Sequence, residues 1–197
     1  MSIRWVDAVM RTGALAGVVL AATVAAANAQ GYPSAFGFGK PATEQDIAKV
    51  AIAVNADGKG LPAGKGNYAK GKEVYEAACA ACHGADLKGI TPLPDMPSGA
   101  ALRLVGGRGT LTSQKPIVTV ESYWPYATTL FDYVRRAMPF GAPGALSDDE
   151  VYAVSAYILG EANIVDKAMV LDAQTLPKVQ MPNRDGFIPD PRPEIYK

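Results

Sequence analysis

The two cysteines of the chain and its one histidine lie within five consecutive residues. Cys79, Cys82 and His83 form the pattern C-x-x-C-H, which is the attachment sequence for c-type haem. Two thiols three residues apart at the end of a helix can reach the two vinyl groups of one porphyrin and form thioethers. The adjacent imidazole can then bind the iron. The pattern therefore predicts one covalently bound haem c with His83 as an axial ligand.

Three other kinds of site place cysteines at this spacing, and the sequence argues against each. A zinc site needs four ligands, and the chain has no further cysteine or histidine to complete one. A redox-active C-x-x-C disulfide normally accompanies a β-α-β unit, and no such unit is predicted here. A structural disulfide leaves His83 without a role.

The sixth ligand of the iron must lie elsewhere, because there is no second histidine. Methionine is the obvious candidate: its thioether is a soft ligand, and His/Met ligation raises the reduction potential. Met96 is only 13 residues past His83, a short span for reaching the opposite haem face, and Met169 and Met181 lie in the C-terminal tail. Met138 follows a loop and a predicted helix, and we expect it to be the ligand.

The helix that leads to the cysteines is predicted from about Tyr68 to Ala80. Its apolar positions recur with helical spacing on one continuous face, formed by Gly71, Val74, Tyr75, Ala78 and Cys82. A glycine inside a helix costs ~1 kcal/mol relative to alanine. Gly71 on this face therefore indicates that another backbone approaches closely there.

Two further helices are predicted downstream. One covers residues 127–137 and should bury Leu130, Tyr133, Val134 and Ala137. Pro139 ends it, and Met138 should be extended because the residue before a proline avoids the helical region. The last helix starts with the capping box of residues 147–150 and should bury Val151, Val154, Ser155 and Ile158. Residues 84–122 are predicted to be mostly loop, and the sequence predicts no strand.

These features together resemble a class I cytochrome c. The resemblance rests on Gly71-x-x-x-Tyr75, Cys79–His83, Met138-Pro139 and a capped helix ending Ala156-Tyr157-Ile158. It covers about residues 67–163 and implies an all-α fold, a single class I cytochrome c domain whose first and last helices cross closely.

A narrower resemblance uses more of the chain. The segments 104–111, 122–130, 137–140 and 176–187 are similar to cytochrome subunits that accompany sulfite-oxidase-type molybdenum enzymes, above all the haem subunits of Sox sulfane dehydrogenases. Those subunits typically have two haem domains, whereas this chain has one C-x-x-C-H and resembles the first domain and its tail. The resemblance implies a dehydrogenase of molybdenum type as partner.

The resemblance also suggests residues around the haem. Class I cytochromes hold the haem propionates with Arg, Trp and Tyr donors, and Arg108, Tyr123 and Trp124 are the candidates. The alternative is that both aromatic residues only pack and that Arg108 is a solvated turn residue. Arg135 and Arg136 either steer an acidic partner or form a solvated face. A carbonyl near Pro92 or Pro94 is expected to accept the second ring proton of His83.

The sequence divides into four segments. Residues 1–29 have the build of a secretory signal peptide, with two arginines, a 15-residue apolar run and an Ala-x-Ala site. That run is shorter than the ~20 residues of a membrane span, so no stable span is expected after processing. An N-terminal arm (30–66), with one short helix at 43–50 capped by Thr43, precedes the cytochrome domain (67–163). An extended tail (164–197) follows it.

An iron with two protein ligands has no position for substrate, so the sequence predicts periplasmic electron transfer rather than an enzyme. The donor would be a sulfur-compound dehydrogenase, and the acceptor a second cytochrome or a terminal oxidase. A haem enzyme with a labile sixth ligand, acting as a peroxidase or in thiol oxidation, remains an alternative. So do a generic carrier with an unrelated donor and an assembly factor without a redox role. Basic and acidic residues balance at 19 each, which gives no indication of nucleic-acid binding.

Overall fold

The computed structural model describes residues 37–90, 103–188 and 190. The predicted signal peptide, Met96, Pro92 and Pro94 lie outside the described residues. The chain divides into two compact units, 1–46 and 47–197. Helix α1 (Glu44–Val50) starts in the first unit, where Thr43 Oγ1 accepts a hydrogen bond from the Asp46 N–H (3.2 Å). This contact confirms the predicted N-cap.

Helices dominate the described part of the second unit, in agreement with the predicted all-α class. They are α2 (Tyr68–Ala78), α3 (Ala80–His83), α4 (Ala127–Ala137), α5 (Asp148–Glu161) and a 3-10 turn (Leu176–Lys178). Two short strands, β1 (Lys65–Asn67) and β2 (Val170–Asp172), pair antiparallel with Gly66 opposite Leu171. Among the described residues, no helix is both long enough and apolar enough to cross a membrane.

Helix α5 is the centre of the core. Every residue from Val151 to Gly160 is buried, whereas the sequence predicted a single buried stripe. The helix is enclosed because α2, α4, β1 and β2 all pack against it. Gly66 and Gly71 both lie directly against the backbone of Ala153. The close approach that Gly71 indicated is therefore confirmed, and it is the crossing of the first and last helices.

Side-chain caps set where helices α2 and α5 begin. Asn67 precedes α2, and its side chain accepts a hydrogen bond from the Lys70 N–H (2.9 Å). Ser147 precedes α5 and accepts from the Glu150 N–H (3.4 Å), while the Glu150 carboxylate accepts from the Ser147 N–H (2.9 Å). These bonds satisfy N–H groups that have no partner inside the helix. The capping box is as predicted.

Helix α4 has the predicted bounds but a different buried face. Leu130 and Val134 are buried as expected, whereas Tyr133 is 47% exposed and Phe131 is fully buried. The Phe131 ring packs against Tyr152 of α5 with 4.4 Å between ring centroids. Because this aromatic contact joins the two helices, the buried face of α4 includes Phe131 in place of Tyr133.

Residues that follow α5 add side chains to the same core. The sequence predicted an extended tail here, and four of its residues are buried: Leu171, Leu176, Val179 and Met181. Burial of such side chains stabilises a fold by ~1.5–3 kcal/mol each. The prediction of no strand is wrong at β1 and β2, because strands of three residues are too short to show a periodic pattern.

Candidate functional site

The cysteines and the histidine lie where one helix ends and the next begins. Helix α2 ends at Ala78, Cys79 has φ −124° and ψ −36°, and α3 begins at Ala80. The sequence predicted one helix to Ala80 with Cys82 on its buried face, and this prediction is wrong because Cys82 is exposed. The interruption at Cys79 ends the helical register, so the spacing no longer carries Cys82 onto that face.

The two thiols have different surroundings. Cys79 is half-buried and packs against the core, and burial, with a smaller contribution from Cys82, raises the pKa of its thiol to about 11. Cys82 is exposed, and the two are not joined by a disulfide. One thiol at the edge of the core and one at the surface suit covalent attachment of a flat group that reaches from the core to the solvent.

The backbone around His83 is held from both sides. The His83 N–H donates to Cys79 O (2.9 Å), and His83 O accepts from the Gly89 N–H (2.8 Å). Gly84 follows with a φ of 76°, and its carbonyl accepts from the Tyr75 hydroxyl (2.7 Å). Burial raises the pKa of that hydroxyl, so it stays a donor. These contacts fix the main chain from which the imidazole projects, and the sequence did not predict the role of Tyr75 in them.

Met138 has the conformation that the following proline predicts. Its φ of −121° and ψ of 150° are extended, and its N–H closes the last turn of α4 by donating to Val134 O (3.1 Å). The side chain is half-buried and packs against the core. Met169 is half-buried as well, whereas Met181 is 3% exposed and is a residue of the tail that packs into the core. The role of Met138 as iron ligand stays a prediction.

Several apolar side chains at the edge of the core are only partly covered. Leu104 and Trp124 pack against the core without being buried, as do Cys79 and Ala80. Leu104 is tied to the histidine loop, because its N–H donates to Leu87 O (2.9 Å). Two thiols, an imidazole, a thioether and half-covered apolar side chains fit the donor set and surface of a haem c. Among the described residues, no group of three His, Cys, Asp or Glu could hold a metal ion by itself.

The residues predicted near the haem propionates have protein partners. Arg108 Nε lies 3.0 Å from Glu121 Oε1, and Arg108 Nη2 donates to Ala162 O (2.7 Å) at the end of α5. Trp124 packs edge-to-face with Tyr133, with 5.8 Å between ring centroids. Arg108 therefore joins its loop to α5, which neither alternative from the sequence included.

Tyr123 is 40% exposed and packs edge-to-face with Phe187 from the tail, with 5.1 Å between ring centroids. Its carbonyl accepts a hydrogen bond from the Asn183 side chain (2.7 Å). This residue therefore joins the tail to the loop before α4. Contact of Arg108, Tyr123 or Trp124 with a propionate stays a prediction.

Arg135 and Arg136 are both engaged in ion pairs. Arg135 Nε donates to Asp148 Oδ1 (2.9 Å), and the Arg136 guanidinium binds both carboxylate oxygens of Asp132. The sequence offered steering of a partner or a solvated face, and the structure adds a carboxylate partner for each arginine. The spacing of Asp132 and Arg136, four residues apart on a helix, is a signal that predicts such a pair.

Comparisons with known proteins agree with this geometry. The family model described as Cytochrome c matches residues 68–161. Among solved structures, a chain from the crystal structure of the sulfane dehydrogenase SoxCD from Paracoccus pantotrophus is 38% identical, with a TM-score of 0.70. The match covers 82% of this chain and 75% of that chain. No curated protein sequence matches the chain.

Proposed function

Since the chain belongs to the cytochrome c family, we propose that it carries single electrons from a sulfur-compound dehydrogenase to a respiratory acceptor. Members of this family bind haem c covalently and transfer electrons rather than catalyse a reaction. Cys79 and Cys82 fit the attachment motif of that haem. Membership of the family does not include the sulfur substrate, the direction of electron transfer or the partners, and these three points are our proposal.

The 38% identity to a chain of sulfane dehydrogenase SoxCD supports the link to sulfur oxidation. That similarity extends over 82% of this chain, whereas the general cytochrome c model covers only residues 68–161. The specific likeness therefore includes segments outside the haem domain proper. Such segments distinguish one cytochrome subunit from another, so they support a partner of the same kind.

Four residues would hold the cofactor. Cys79 and Cys82 would bind the porphyrin through thioethers, and His83 and Met138 would bind the iron. Bound haem supplies a one-electron Fe(III)/Fe(II) couple. The bonds from Gly89 and Tyr75 to the backbone at His83 and Gly84 keep the imidazole in place. The extended backbone at Met138 takes the chain out of the helical path of α4.

Two protein ligands on the iron would favour electron transfer over haem catalysis. A peroxidase or a thiol-oxidising haem needs an open or labile position on the metal. Met138 lies directly after an eleven-residue helix whose last turn carries two paired arginines. Because these ion pairs stabilise the end of the helix, the Met138 thioether should not leave the iron readily. We therefore expect a low-spin iron that binds exogenous ligands slowly.

We place the protein in the periplasm, on the basis of the signal peptide predicted at 1–29. The donor would be a dehydrogenase subunit of molybdenum type, and the acceptor a second cytochrome or a terminal oxidase. Two closely spaced thiols in an exported, oxidising compartment would ordinarily form a disulfide. Covalent attachment of a haem to both would prevent this pairing.

Purification of the natively matured protein with its bound partner tests this proposal. We expect a molybdenum-containing subunit to co-purify, and a sulfite or sulfane-sulfur substrate to reduce the haem only when that subunit is present. Reduction by the substrate without the subunit would contradict the proposal, as would a high-spin spectrum with rapid cyanide binding. A co-purifying donor without molybdenum would instead support a generic electron carrier.

A further inference from the structure

We propose that Asp132 is a positioning residue that fastens residues 52–56 to helix α4 and thereby holds Met138 in place. The inference rests on the proposed function, because it assumes that the Met138 thioether binds the iron. Asp132 joins an N-terminal segment to the helix that precedes the ligand.

Residues 52–56 run along one face of α4 in the opposite direction to the helix. The Val54 N–H donates to Asp132 Oδ1 (2.8 Å). On one side of this bond, Arg135 Nη1 donates to Ile52 O (3.3 Å). On the other side, the Thr128 hydroxyl donates to Ala56 O (3.3 Å). Backbone groups at every second residue of the segment are therefore bonded to polar side chains about one helical turn apart on α4.

The spacing of the two partners explains why they match. Thr128 and Asp132 are four residues apart, which is ~6 Å along a helix at a rise of ~1.5 Å per residue. Two residues of an extended chain span at most ~7 Å. One helical turn of α4 and a two-residue step of extended chain thus have nearly equal lengths, which lets backbone groups two residues apart contact side chains four residues apart on the helix.

Asp132 is the centre of this contact. It is only 9% exposed, and its two carboxylate oxygens accept from Arg136, with one of them also accepting from Val54. Burial by itself would raise the pKa of Asp132, but the hydrogen bonds from Arg136 and from the Val54 N–H outweigh it and lower the pKa. The group is therefore ionised at neutral pH, and its hydrogen bonds are of the strong, charge-assisted kind.

The same contact supports the last turn of α4, from which Met138 extends. The Met138 N–H is bonded to Val134 O, within the turn that also carries Arg135 and Arg136. Arg135 additionally joins Asp148 at the start of α5, so the loop 138–147 is closed at its base. Helix ends fray readily, and these bonds oppose fraying where the ligand is attached.

The inference is tested in the full holoprotein by Asp132→Asn, which removes the charge and keeps the shape. Glu161→Gln is the matched control. Glu161 accepts from Lys167 Nζ (2.7 Å) and from the Tyr68 hydroxyl, and its pKa is lowered chiefly by Lys167 and then by Tyr68. It lies at the far end of α5, opposite the end that Arg135 contacts. Two quantities are measured: the dissociation constant for cyanide, which displaces the methionine from ferric iron, and the free energy of unfolding.

We expect Asp132→Asn to tighten cyanide binding about tenfold, which corresponds to ~1.4 kcal/mol, because Met138 is held less firmly. Glu161→Gln should lower the free energy of unfolding and leave cyanide binding within about twofold of the unchanged protein. Equal cyanide affinity in all three proteins would overturn the inference, and so would an equal increase in both variants. If the protein without substitutions lacks the spectrum of an iron–methionine bond, that result would instead refute Met138 as ligand.

Hydrogen exchange in the unchanged holoprotein tests the inference without any variant. If residues 52–56 and the end of α4 open together, the amides of Val54 and Met138 should report the same opening free energy. A Val54 amide that exchanges more than about tenfold faster than the Met138 amide would overturn the inference. This measurement decides the question even if Asp132→Asn does not fold.

Discussion

Gly71 of α2 lies so close to Ala153 of α5 that a Cβ built on the glycine would be 1.9 Å from the Ala153 carbonyl oxygen. No side chain fits in that distance, and the obstacle is backbone rather than the end of a flexible side chain. The contact joins the helix before the haem-attachment motif to the central helix of the core. The relative position of α2 and α5 therefore depends on the absence of a side chain at residue 71.

Gly71→Ala should lower the free energy of unfolding by about 3 kcal/mol, because the two helices must separate to admit a methyl group. At a solvent-exposed position in a helix, the same change would stabilise the protein by ~1 kcal/mol. The sign of the change in unfolding free energy therefore shows whether the contact exists. Urea unfolding of the holoprotein measures it, with the exposed Lys72→Ala on the same helix as control. A Gly71→Ala variant as stable as this control would contradict the crossing described above.

The tail should contribute to stability as a part of the core. Leu171 is fully buried, whereas its neighbour Val170 on the same strand is 44% exposed. We expect Leu171→Ala to cost about 2–5 kcal/mol and Val170→Ala less than about 1 kcal/mol. Denaturant unfolding of both variants checks this, and equal effects would show that the tail does not pack as described.

Asp132 should make stability depend on pH on the acid side. Its pKa in the folded protein is below the ordinary value of 3.8. A carboxyl with a lowered pKa stabilises the fold above its ordinary pKa, and this contribution is lost as the pH falls through the folded value. The difference in unfolding free energy between the unchanged protein and Asp132→Asn should therefore be larger at pH ~7 than at pH ~3. A difference independent of pH would show that the charge of Asp132 has no role.

Met138→Ala should abolish the long-wavelength ferric absorption that an iron–methionine bond produces, and it should lower the reduction potential, since methionine ligation raises it. Met181→Ala is the control: Met181 is a buried residue of the tail, so its loss should destabilise the fold and leave that absorption unchanged. An optical redox titration of both holoproteins measures the ferric absorption and the reduction potential. An unchanged spectrum in Met138→Ala would rule out Met138 and turn attention to Met169.

The sequence was most informative where a local rule acts within a few residues. Ser147 and Glu150 define the start of α5, and Pro139 sets the conformation of Met138. Gly71 indicated the helix crossing because glycine destabilises a helix relative to alanine, so its presence on the apolar face suggested a close approach of another backbone. Each of these signals is complete within one short segment, so no knowledge of the rest of the fold is needed to interpret it.

The features that were not predicted depend on parts of the chain that are distant in sequence. Asp132 accepts a hydrogen bond from the backbone N–H of Val54, and a backbone group gives no signal in the sequence. The all-round burial of α5 follows from four elements that pack on it. Arg108 is bonded to Glu121 and Ala162, and neither partner is indicated by the residues next to it.

Intact mass spectrometry of the natively matured protein, recorded under denaturing conditions, tests most directly that this chain carries a covalent haem. We expect one haem per chain in the unchanged protein, retained after denaturation. The double variant Cys79→Ser, Cys82→Ser should give the mass of the polypeptide alone. A polypeptide mass without added haem in the unchanged protein, from a host that matures other c-type cytochromes, would contradict the account.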